Sequence, residues 1–265
     1  MGTSQRMKKR EMKKNLTALL IIAVFAVIVF SVNSIGKFIA EKVIQPVMNL
    51  NVAKDERIVT NTVKIEALEI YGVGAGQFQD AASAEETVKK MKDGGGAGYV
   101  LETADGFTVL ASCYTDKEWA ESVKEKLSSS FDQVSVFPLK GDELSVKITG
   151  TKAQAELIAQ AFSSLRTTVK EMVDLCVEAD KGDVTRLQAC TQIQLCRNDT
   201  AKQLEQLKAL ESGNRVVTVL EEMFTCVNTA LGEMPESSDD AFAQKLKHAS
   251  ASLVGEYINF YTSLE

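Results

Sequence analysis

Three glycines on alternate positions, Gly72, Gly74 and Gly76 in "YGVGAGQF" (71–78), are the residues whose type and spacing most invite a chemical role. A glycine-rich turn that opens a helix can cradle a pyrophosphate on its backbone N–H groups. The spacing fails that test. G-x-G-x-x-G needs its third glycine at 77, where Gln77 stands, and the helical pattern begins several residues later. A strand fits instead. Side chains alternate across a strand, so Tyr71, Val73 and Ala75 share one face and the glycines strip the other. Glycine inside a strand marks a close approach by a ligand or another backbone.

Acid–base and metal chemistry find little material. The chain has one histidine, His248, on the last predicted helix, where it reads as an exposed side chain. Nucleophile–base pairs and metal centres draw on more histidine than that. The carboxylates fall mostly on polar helix faces, where solvation is the default. No catalytic residues, no metal ligands and no cofactor are expected, and the chain reads as a non-enzyme. Five cysteines (Cys113, Cys176, Cys190, Cys196 and Cys226) stand at wide spacings without C-x-x-C. That is neither a disulfide framework nor a zinc signature. They read as small buried hydrophobes, with pairing among the last four left open.

The elements that must position these residues begin with an anchor. Residues 1–14 carry six basic side chains against Glu11, a balance of +5, while the whole chain is −6; the rest therefore carries −11. An acidic body is a poor partner for phosphate backbones, so nucleic acid is not expected. "LTALLIIAVFAVIVFSV" (16–32) holds no charge and is long enough to cross a bilayer as a helix. A signal peptide is the rival reading, but no small-x-small cleavage site follows. The sequence thus predicts a cytoplasmic basic tail (1–14), a single transmembrane helix (15–35) and a linker (36–64). The basic flank places the N-terminus in the cytoplasm and the remaining body outside the membrane.

Residues 65–149 contain an internal repeat. "YGVGAGQFQDAASAEETVKKM" aligns with "FTVLASCYTDKEWAESVKEKL" at a spacing of 36, matching Tyr71 to Phe107, Val73 to Val109, Asp80 to Asp116 and Ala84 to Ala120. Each copy passes from period two to period 3.6, strand to helix. Ser83-x-x-Glu86 and Thr115-x-x-Glu118 read as capping boxes. "GYVLET" (98–103), "QVSVFPL" (133–139) and "LSVKIT" (144–149) supply further strands. The prediction is an α+β fold of two β-α-β units in one antiparallel sheet, with both helices on one face. Tyr71, Val73, Ala75, Phe107, Val109 and Ala111 would meet the helices. The glycines with Thr108, Leu110 and Ser112 would form a bare open face. From Thr151, itself in a capping box with Gln154, everything to 265 reads as four helices. They either close as a bundle or let the first helix extend away.

The doubled unit resembles a SPOR domain, a bacterial module that binds peptidoglycan. Tyr71, Val73, Gly76, Phe78 and Ala84 match the family's first strand and helix in place and spacing; Phe107, Val109, Ser112, Tyr114 and Ala120 echo its second half. The sequence departs from the pattern where the family's strand-one Gln is Gly74 and its second glycine is Ser112. The likeness covers 65–149 and implies binding of glycan strands stripped of stem peptides at septa, in cell division or sporulation. Carried onto this chain, it points to Gly74, Gln77, Tyr99, Leu110, Ser112 and Tyr114 as glycan-binding residues.

The expected protein is therefore single-pass, septal and non-catalytic, with its body outside the cell membrane and the helical domain (150–265) as a surface for division or sporulation proteins. The rival is an extracytoplasmic scaffold or adaptor whose SPOR-like sheet and helical domain bind other proteins, without glycan affinity. A wall hydrolase targeted by the same module would need a catalytic set after 150, which the sequence lacks.

Overall fold

The computed structural model describes residues 57–103, 106–210, 214–234 and 241–264. The expected basic tail and membrane anchor lie outside these residues. Among the described residues no helix is long and apolar enough to cross a membrane. Residues 55–265 make one compact unit.

The fold is α+β. In chain order it runs β1 (Val59–Ile65), β2 (Leu68–Phe78), a 3-10 turn (Ala82–Ala84), α1 (Glu85–Asp93), β3 (Tyr99–Thr103), β4 (Gly106–Tyr114), α2 (Lys117–Leu127), β5 (Val134–Gly141), β6 (Leu144–Gly150), then helices α3 (Lys152–Lys181), α4 (Arg186–Lys208), α5 (Arg215–Gly232) and α6 (Phe242–Leu264). Four strands form an antiparallel sheet in the order β3-β4-β2-β5, the split β-α-β arrangement. Both repeat helices cover one face. Ala75, Ala84, Met91, Val109 and Ala111 form one small core there, and Val73, Tyr114 and Ala120 another.

Two expectations change. "LSVKIT" does not join that sheet. It lies in β6, which pairs with β1 from Val59↔Gly150 to Ile65↔Leu144 as a separate two-stranded ribbon. All of β1 but Ile65 falls in the stretch read as linker, because "VTNTVKI" buries only Val63 and Ile65 and so shows a short, weak alternation.

The helix starts also differ. α2 is capped by Asp116, whose carboxylate accepts from Trp119 N at 2.7 Å, while the Thr115 hydroxyl donates to Asp174 on α3 at 2.6 Å. Ser83 does not cap α1; it lies in the 3-10 turn, where its N–H donates to Asp80 Oδ1 at 2.8 Å. The Thr151–Gln154 box forms as read, and Thr185–Gln188 forms a second.

The four C-terminal helices pack as a closed ring, α3 on α4, α4 on α5, α5 on α6 and α6 back on α3, which is the bundle alternative. The bundle is not free of the sheet. α3 lies against the β1–β6 ribbon, and α6 crosses β3, β4 and β5 on the face opposite α1 and α2. Ile70, Leu110 and Leu139 of the sheet share one continuous core with Leu165 of α3 and with Leu253, Tyr257 and Tyr261 of α6. Each such side chain contributes about 1.5–3 kcal/mol by leaving water. The contact is therefore comparable in scale with a domain's whole stability of about 5–15 kcal/mol, and α6 is a structural layer rather than a lid.

Candidate functional site

The stripped face of β2 is not open. Gly72, Gly74 and Ile70 pair across the sheet with Phe137, Ser135 and Leu139 of β5, and the side chains of neighbouring strands lean over the glycines. A Cβ at Gly74 would fall 2.9 Å from Thr108 Oγ1 and 3.1 Å from the Phe137 ring. The glycines thus admit large neighbours beneath α6, a close approach within the chain itself.

Of the residues expected to meet a glycan, four are interior. Leu110 lies in the core shared with α6, with no exposure, and Gly74 is buried beneath Thr108 and Phe137. Ser112 and Tyr114 are on the other face altogether. A bulge between Leu110 and Ser112 leaves Ala111 unpaired, so Ser112 stands opposite Val73 and Tyr114 opposite Tyr71, while Cys113 turns to the bundle side. One inserted residue reverses the alternation beyond it. Tyr114 is buried against α2, and that burial raises its phenol above the usual range. Tyr99 does face the expected side, but there it packs on α6. A Cβ at Gly255 would lie 2.8 Å from its hydroxyl oxygen, and its ring meets His248 edge-on at 5.9 Å between centroids. His248 is correspondingly half-buried, with Nδ1 donating to Ala97 O at 2.8 Å, and with Lys247 it ties α6 to the loop at 94–98. Gln77 alone of the six is exposed.

Gln77 lines a cleft where α6 does not reach. β2 bulges at Gly76–Gln77, opposite Thr108, and Gly76 takes a left-handed φ of 73°, which glycine alone adopts without cost. The Thr108 hydroxyl donates to Gly76 O at 3.0 Å and fixes the turn. Around it Gly76, Gln77, Thr103, Thr108, Gln133, Val134, Ser135 and Phe137 enclose about 570 Å³. Among the described residues of this lining no side chain is charged. Gln133 holds a φ of 54°, among the described residues the one non-glycine residue with positive φ, a conformation uncommon outside glycine. Sequence reading missed Gln133, Thr103, Thr108, Ser135 and Phe137 as a group. The one available signal was in β5, where Ser135 and Phe137 alternate with Val134 and Val136.

A second concavity, about 560 Å³, lies between α2 and α3 and is lined by Trp119, Asp116, Glu118, Asp174, Glu178 and Lys181 among others. Its aromatic surface is already occupied, since the Lys181 ammonium stands 4.3 Å from the Trp119 ring centroid. Among the described residues no group of His, Cys, Asp and Glu is placed to hold a metal ion. No disulfide joins the five cysteines; Cys113, Cys176 and Cys196 are buried, while Cys190 and Cys226 are half-buried.

Comparison with protein-family models, with curated proteins and with solved structures yields no match to this chain.

Proposed function

We propose that this chain is a non-catalytic, single-pass membrane protein that binds septal peptidoglycan through its SPOR-like sheet domain during cell division or sporulation. Its ligand would be glycan strands freed of stem peptides. The observation that supports this best is the architecture of the repeat. Two β-α-β units form one antiparallel four-stranded sheet with both helices on the same face, as the resemblance implies. The covered centre of the sheet removes Gly74 and Leu110 from direct contact, so glycan binding falls to what α6 leaves open. In the adaptor reading the sheet face that would dock a partner is likewise filled by a helix of the same chain, which leaves the helical domain as its surface.

The test is localisation of the full chain in dividing cells of its host, with a fluorescent protein on the N-terminus. Concentration at septa is expected. An even signal around the membrane contradicts the reading.

A further inference from the structure

We infer that the outer face of the β1–β6 ribbon rests on the surface of an anionic bilayer, with Ile58 and Val59 in the headgroup layer and Lys64 and Lys147 against lipid phosphates. This is a surface separate from the sheet that carries the wall-binding reading. It borrows from that reading only the membrane anchor, which brings a bilayer within reach.

The ribbon has two unlike faces. Val63, Ile65 and Ile148 point inward and share a core with Ala155 and Ile158 of α3. The alternate residues point away. Thr60, Thr62 and Lys64 of β1 stand opposite Thr149, Lys147 and Ser145 of β6, and all six are exposed. Neither strand contains an aspartate or a glutamate, although the chain beyond residue 14 carries −11. The outer face therefore offers hydroxyls and two cations on an acidic body.

Apolar surface adjoins these cations. Ile58 is 73% exposed and Val59 46%, and with Leu187 they are the exposed large apolar residues among those described. Lysines on an open strand discourage edge pairing, but that role gives no reason for bare isoleucine and valine beside them. A bilayer interface takes both kinds of group. Apolar side chains enter the boundary between headgroups and acyl chains, while basic groups meet anionic lipid. A soluble polyanion would use the lysines alone.

Position favours the same occupant. β1 follows directly on the stretch that holds the expected anchor (15–35), and residues 36–56 span at most about 75 Å when fully extended. The "KDER" run that leads in (54–57) sums to zero charge. The ribbon's other end, where Ile65 pairs with Leu144, is flanked in sequence by Glu66, Asp142 and Glu143. The ribbon is thus polarised, with its apolar end where the chain enters and its acidic end away from it. Tethering raises the local concentration of the ribbon to the millimolar range, so a weak contact suffices.

The experiment is vesicle co-sedimentation of residues 55–265, which form one compact unit, acetylated so that no terminal amine adjoins Ile58. Vesicles contain either equal parts of phosphatidylglycerol and phosphatidylcholine, or phosphatidylcholine alone. Binding is expected to the anionic vesicles only, and it should weaken steeply in salt. Amide exchange should slow at 58–64 and 145–149 in the bound state. Each lysine near an anionic surface contributes about fivefold. Lys64→Gln with Lys147→Gln should therefore weaken binding about tenfold or more, and Ile58→Ser should weaken it further. Urea unfolding should stay unchanged, since all three side chains are exposed.

No binding to anionic vesicles, equal binding to both kinds, protection confined to other segments, or full affinity in the triple variant would each overturn the inference. Binding to soluble polyglycerol phosphate that matches the vesicles and ignores Ile58→Ser would assign the face to a polyanion instead. Failure here is separable from failure of the wall-binding reading. A triple variant that loses vesicles and keeps cell wall supports the membrane face and leaves wall binding to the sheet. Loss of wall binding with vesicle binding intact removes that reading alone.

Discussion

The ring of Tyr261 occupies the space that a side chain at Gly141 would need. A Cβ built on Gly141 falls 2.8 Å from Tyr261 Cγ, and the tyrosine hydroxyl continues past it to donate to Glu66 O at 2.7 Å. One residue of the last helix thus touches the end of β5 and the turn between β1 and β2. The tail is built into the sheet domain rather than appended to it.

Gly141→Ala therefore forces the Tyr261 ring to move in a packed core. Overpacking of this kind costs about 1–3 kcal/mol. Urea unfolding of residues 55–265 should show that loss in a single transition, with sheet and helical signals falling together. A variant of unchanged stability, or a helical transition separate from that of the sheet, contradicts the packing of α6 on β5.

Leu110 and Gln77 sit on strands of the same sheet and should behave in opposite ways. Leu110→Asp places an ionised carboxylate beneath α6, where a buried unpaired charge is among the few single changes that exceed about 4–5 kcal/mol. Cooperative folding is expected to be lost. Gln77→Ala removes an exposed side chain and should stay within about 0.5 kcal/mol of the parent. Circular dichroism melts of the two variants decide this. A well-folded Leu110→Asp protein would mean that the sheet face is open.

The thiols report the same burial chemically. Burial pushes the Cys176 and Cys196 thiols up to about 12, the latter helped by the Glu171 carboxylate, and raises Cys113 too. The thiolate is the reactive form, so these three should resist iodoacetamide at pH 8 until the protein is unfolded. Cys190 and Cys226, half-buried, should label faster than these three in the native state, Cys226 slowed by the burial that raises its thiol as well. Peptide mass mapping reads the pattern, and rapid native labelling of Cys113 or Cys176 would contradict it.

Much of this was legible in the residues, and what was hidden has particular causes. The helix stripes from Ile158 to Cys176 and from Leu220 to Leu231 repeat every three to four positions, and those residues are buried as the period requires. Alternation placed Tyr71, Val73 and Ala75 against the repeat helices. It failed at Ser112 and Tyr114 because a bulge inserts one residue without any mark in composition. The covering of the sheet was not read because an apolar stripe shows that a face is buried and not what buries it. α6 did carry a signal. Beyond the stripe of Phe242, Leu246, Leu253 and Tyr257, the residues Ala251, Val254 and Tyr261 are apolar and also buried. A helix apolar over so wide an arc must be packed on two sides, here the bundle and the sheet. The cleft was least legible, since Gln77, Thr103 and Gln133 come from separate strand ends and meet only through the fold.

The central claim is that this folded body holds glycan from which stem peptides have been removed. Its most direct test is co-sedimentation of residues 55–265 with purified bacterial sacculi, intact and after amidase treatment. The account predicts weak binding to intact sacculi and a marked rise after treatment. A fragment that unfolds cooperatively yet sediments with neither preparation, or equally with both, would contradict it.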